Sequence, residues 1–173
     1  LELSPGDSRI VTERACALER SQRFDAACQV LRAHPALLST GFMPAYLLAF
    51  NALMDGDLDE PACLLDSMRE QAGGDDRFAF MVRRIESALA RAELVRHVTP
   101  LDGSDLRGWH WAITGSLLTH VSPYGCDKGM RGRYAFVQDR MGFCRLGVAR
   151  LAALIEALEL EFPCVIGLPE RAA

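Results

Sequence analysis

The side chains best suited to chemistry crowd into one stretch of this 173-residue chain, from Trp109 to Tyr134. Within it, glycines at 125, 129 and 132 would let backbone N–H groups approach a phosphate or carboxylate, and Arg131 and Arg133 supply forked donors for the same charge. With His120, Ser122, Tyr124, Asp127 and Lys128 they define a candidate anion site in the loop 122–138, suited to a nucleotide or phosphorylated metabolite. His120 or Asp127 would be the groups able to act on such a ligand. The glycine spacing matches neither the phosphate-loop nor the dinucleotide fingerprint. The plainer reading is an ordered surface loop whose arginines bind carboxylates among Asp55 to Glu60.

Other chemistries have less support. His110 and His120 with Cys126 or Asp127 carry zinc-compatible atoms but no recognised ligand spacing, so neither a metal nor a cofactor is expected. Ser116, Ser122 or Cys126 could act as a nucleophile beside a histidine and Asp127 or Asp139, but no nucleophile-elbow motif is present and no catalytic residue is assigned. Trp109 and Trp111 could stack on bases or a partner. On a strand they would share one face and serve equally well as core.

Charge narrows the partners. The net formal charge is −4, which favours neither a general nucleic-acid surface nor an acidic tail. Only the stretch 126–150 is locally basic, with Lys128, Arg131, Arg133, Arg140, Arg145 and Arg150 against Asp127 and Asp139. The six cysteines form no C-x-x-C pair and mostly sit in apolar runs, as expected in a reducing, cytoplasmic setting. No apolar run reaches the roughly 18 residues of a membrane helix, and no signal-peptide pattern opens the chain.

The elements that must carry these residues differ between the two halves. Residues 8–20, 22–34, 43–55, 58–72 and 75–97 repeat apolar side chains at three- and four-residue spacing, with Pro35, Gly41, Gly56 and Gly73-Gly74 between them, which predicts five helices. The segment Gln22 to Ala27 and the segment Gly56 to Pro61 show the same turn-then-helix pattern 34 residues apart. Leu48, Ala49, Ala52, the turn Gly56-Asp57-Leu58-Asp59-Glu60 and Leu65 fill the positions of one unit. Ala15, Leu18, Phe24, Ala27 and Leu31 fill those of another, with Arg14 in place of its leucine, and in the unit of Leu48 Pro61 stands in place of an alanine. Residues 8–72 thus resemble tetratricopeptide repeats. The resemblance implies antiparallel helical hairpins and a groove, lined by the first helix of each hairpin, that holds a peptide or another protein. Arg14, Tyr46, Phe50 and Asn51 are its candidate lining residues. The stretch Asp75 to His97 would cap the array, with Arg83, Arg84, Arg91 and Arg96 on a solvated face.

Beyond Thr99 the texture changes. Trp109-His110-Trp111-Ala112-Ile113 and Leu117-Leu118-Thr119-His120-Val121 are rich in strand-favouring residues around Thr114-Gly115-Ser116, which predicts a β-hairpin or one strand bulged at Gly115. Asp139 would cap a helix to about Glu159, and Pro163 to Leu168 reads as a buried strand. The expected fold class is therefore α+β, mostly α: a repeat-like region over 1–97 and a small α/β module over 98–173, with two or three strands and one long helix. So thin a sheet needs cover from the helical half, a second copy sharing the sheet, or a continuation of the chain. The leading functional expectation is a non-enzymatic adaptor that binds another protein or peptide. The alternative is the anion site of loop 122–138.

Overall fold

The computed structural model describes residues 7–118 and 141–162. They form eight helices: α1 (Ser8–Arg20), α2 (Phe24–Arg32), α3 (Pro35–Thr40), α4 (Phe42–Asp55), α5 (Asp59–Ala72), α6 (Asp76–Val95), α7 (Leu106–Thr114) and α8 (Met141–Ala157). Local chemistry sets many of the boundaries. The carboxylates of Asp7, Asp75 and Asp105 accept from Arg9 N, Arg77 N and Gly108 N, so each satisfies a first-turn donor of α1, α6 or α7. Asp57 Oδ1 does the same for α5 through Asp59 N and Glu60 N. At the other end of α4, Gly56 takes φ +92° and the N–H of Asp57 reaches back to Ala52 O at 2.9 Å, the hydrogen-bonded αL ending that glycine adopts without a Cβ clash.

The helices pack as adjacent antiparallel pairs: α1 with α2, α4 with α5, and α6 with α7. The second helix of each of the first two pairs meets the first helix of the next, α2 on α4 and α5 on α6, while the first helices α1, α4 and α6 touch along one side. Each pair leaves an apolar face that its neighbour covers, which is how helical-hairpin arrays acquire a continuous core. Ala15, Ala27 and Ala49 are fully buried and let the backbones approach. One cluster, including Val11, Cys28, Leu31 and Leu48, fills the space between α1, α2 and α4. A second, including Leu53, Met68, Ile85 and Trp109, fills that between α4, α5, α6 and α7. Helix α4 lies at the centre, with eleven of its fourteen residues buried.

The expected α+β class is overturned: the described residues are all helical or irregular, with no strand. The segment 109–113, expected as a strand, lies within α7. Asp105 caps that helix, Leu106, Trp109 and Ala112 recur at helical spacing on the face buried against α6, and Gly115 ends it at φ +70°. Tertiary burial of that stripe outweighs the strand preference of tryptophan and isoleucine. Residues 117–118 are irregular, and the rest of the expected second strand, the loop 122–138 and the strand Pro163 to Leu168 lie outside the described residues. A sheet shared between copies therefore has no strand to start from among the described residues. The helix expected near 139–159 is α8. Helix α3 was not anticipated, because Pro35, read as a breaker, is its first residue. The 97/98 boundary falls between α6 and α7, which pack against each other.

Candidate functional site

The face shared by α1, α4 and α6 carries an aromatic line. Phe42, Tyr46 and Phe50 follow one another at four-residue intervals on α4, their ring centroids 6.1 and 6.0 Å apart and nearly parallel. Helix α6 closes the line at both ends. Phe78 stacks on Phe42 at 4.2 Å, and the Arg84 guanidinium lies 4.7 Å over the Phe50 ring while making a long 3.4 Å hydrogen bond to the Tyr46 hydroxyl. Tyr46 is buried, and burial raises its pKa although Arg84 pulls the other way. Phe50 is only half-buried and Arg84 is exposed, so this end of the line is open to solvent.

Asn51 joins α1 to α4. Its amide donates to Glu19 Oε2 at 3.1 Å and to Leu47 O at 2.8 Å, while its Oδ1 is buried without a hydrogen-bond partner. Three of the four expected groove residues, Tyr46, Phe50 and Asn51, thus share α4, and only Phe50 among them is accessible. Arg14 is not with them. It lines a recess of about 540 Å³ between α1 and α2, beside Arg23, Gln29 and His34. Glu19 and Arg84 belong to the same face as Phe50 but lay outside the sequence-based set, because nothing in the local pattern links residues 38 positions apart.

Beside Phe50 and Arg84 an open recess of about 610 Å³ runs between α6 and the end of α7, lined by Phe80, Arg83, Arg84, Ser87, Arg91 and Thr114 among others. Its arginines differ in role. Arg83 is exposed, whereas Arg91 is half-buried and donates to the carbonyls of Trp111, Ala112 and Ile113, which satisfies the acceptors left open at the end of α7. The expected solvated arginine face therefore includes one structural clamp.

The C-terminal candidates divide. Trp109 is core, with its Nε1 donating to Asp102 O at 2.9 Å, whereas Trp111 lines a separate recess of about 430 Å³ between α7 and α8 with Leu117, Leu118, Ala153 and Leu154. Two residues apart on a helix point to opposite sides, so the shared tryptophan face expected of a strand does not exist. His110 is half-buried, and desolvation lowers its pKa. His120, Ser122, Tyr124, Asp127, Lys128, Arg131 and Arg133 lie outside the described residues. Among the described residues, no three His, Cys, Asp or Glu side chains converge on a metal position, and no helix is long and apolar enough to cross a membrane. No family model, curated protein or solved structure matches this chain.

Proposed function

We propose that the chain is a tetratricopeptide-like helical-hairpin protein acting as a non-enzymatic adaptor, which holds a peptide segment of another protein along the face of α1, α4 and α6. The observation that carries this reading is the half-buried Phe50 under the Arg84 guanidinium, at the centre of three side-by-side first helices. An aromatic ring with a charged donor beside it offers both apolar contact and a polar anchor, the combination that dominates binding at protein interfaces. The repeat reading is supported by the pairwise packing and by the fully buried Ala15, Ala27 and Ala49 at the helix crossings. A cytoplasmic setting fits the unbridged Cys16, Cys28, Cys63 and Cys144.

The test is selection of peptides from a display library against the purified chain, followed by affinity measurements on three variants. Phe50→Ala and Arg84→Glu should each weaken the selected peptides about tenfold or more. Glu70→Ala, an exposed change on α5, should leave them unchanged. Peptides that bind all three variants equally would rule out this face as the docking surface.

A further inference from the structure

The recess beside Phe50 holds positive charge that the fold leaves unneutralised. Phe80, Arg83, Arg84, Ser87 and Arg91 recur at helical spacing, so they form one stripe along α6 and line the recess of about 610 Å³ with Ile113 and Thr114 of α7. No acidic side chain lines it. Arginines elsewhere are matched: Arg32, Arg69, Arg77 and Arg96 each meet an Asp or Glu at 2.6 to 2.9 Å. Among the described residues Arg83, Arg84 and Arg91 meet none. Arg84 touches only a ring and a hydroxyl, and Arg91 only carbonyls, so each keeps its full charge. Glu19, the acid of the neighbouring α1, is engaged by the Asn51 amide.

This patch runs against the charge of the whole chain, which is −4. A concave site lined by one sign of charge concentrates ligands of the other sign. The spacing decides what kind of anion fits. At a rise of about 1.5 Å per residue, Arg83 and Arg91 stand about 12 Å apart along α6, too far for one phosphate to bridge. The charges therefore suit several separate carboxylates on an elongated ligand. An extended peptide advances about 3.3 Å per residue and turns alternate side chains to one side, so acids at every second position follow the stripe over about five residues. Exposed guanidinium forks hold such carboxylates in bidentate fashion. At the amino end of the stripe Phe80 is 64% exposed, a platform for an apolar side chain. Resting on the docking reading above, we infer that the segment held on this face is an acidic peptide. It sets Asp or Glu carboxylates on Arg83 and Arg84, with Arg91 adding its charge, and an apolar side chain on Phe80.

Peptides selected on the full chain from an unbiased display library test the inference. Those that lose affinity with Phe50→Ala should be enriched in Asp and Glu beside an aliphatic or aromatic residue. In fluorescence anisotropy on labelled synthetic copies, Arg83→Glu should raise Kd about tenfold or more and Phe80→Ser several-fold. Both side chains are exposed, so helical circular dichroism should be retained. Arg23→Glu, an equal change of charge in the separate recess between α1 and α2, should have no effect. Replacing one acidic residue of the peptide by lysine should weaken binding to the unaltered chain and restore it to Arg83→Glu, which a misfolded variant would not do. Phe50-dependent peptides that are neutral or basic, or that are indifferent to Arg83→Glu, would overturn the inference and leave the docking face standing. A library that yields no Phe50-dependent peptide would overturn both.

Discussion

Helices α4 and α8 have nearly the same character in sequence and opposite fates in the fold. Both are apolar around most of their circumference: α4 carries a single charge, at its last residue Asp55, and α8 carries Arg145, Arg150 and Glu156. Helix α4 is enclosed by α1, α2, α3, α5 and α6, and even Asn51 within it is fully buried. Helix α8 leaves Val148 68% and Leu151 43% exposed. Apolar composition thus says that a helix requires cover, and only packing says whether its own chain supplies it. The difference also separates two kinds of surface. The α1–α4–α6 face is nearly closed with one accessible aromatic ring, whereas α8 is open along its length among the described residues.

The sharpest way to break the comparison is to truncate one leucine in each helix. Leu48→Ala, at a residue 1% exposed, should cost about 2–5 kcal/mol in chemical denaturation. Leu151→Ala should change the stability of the isolated chain by no more than about 0.5 kcal/mol. Equal losses would mean that α8 is as enclosed as α4.

A smaller effect tests whether α7 is set by its cap. Asp105 accepts from Gly108 N at 2.9 Å and from Leu101 N at 3.1 Å, and Asp105→Ala should cost about 1 kcal/mol in thermal melts. Gly108→Ala should cost at least as much, because its Cβ would meet the Asp105 carboxylate and sit 2.6 Å from Thr99 Oγ1. Far-UV circular dichroism should lose helical signal in both variants.

Cys28 sharpens the contrast through pH. Burial pushes its thiol from 9.0 up to about 12, with Arg32 pulling the other way and Glu60, Asp55 and Asp57 adding to the rise. A raised folded value contributes stability that is complete below pH 9.0 and is withdrawn as pH climbs toward about 12, where the unfolded thiol is already ionised. Cys28→Ala should cost about 1 kcal/mol near neutrality and flatten the alkaline fall in stability measured by denaturant titration. An unchanged alkaline slope would show that Cys28 does not contribute to it.

The smallest effect concerns the array's outer side. Arg32 makes two hydrogen bonds to Glu60, at 2.9 and 2.6 Å, joining α2 to α5, but its side chain is 47% exposed. A double-mutant cycle with Arg32→Ala and Glu60→Ala should return a coupling below about 1 kcal/mol, and less in high salt.

Much of the helical half was legible because its signals are local. Apolar spacing and the glycines at 56 and 73 placed α1, α2, α4, α5 and α6 within a few residues of their observed limits. The positions of Tyr46, Phe50 and Asn51 on one helix followed from the same period. The C-terminal half misled because Trp109 to Ile113 satisfies strand preferences residue by residue, while the decisive facts are the Asp105 cap and the buried stripe against α6. Arg84 on Phe50, and Arg91 on the end of α7, could not be read at all. Those contacts cross 34 and about 20 residues, and no pattern within one helix encodes which neighbour it will meet.

The sequence by itself determined where α1, α2, α4, α5 and α6 start and stop and which of their faces are apolar, since capping, periodicity and turn chemistry act over a handful of residues. Tertiary structure alone decided that 106–114 is a helix, that Arg84 and Glu19 join the α4 face, and that α4 but not α8 is enclosed among the described residues. Those outcomes depend on which surfaces remain to be buried once the hairpins have packed, and that balance is struck between segments far apart in the chain.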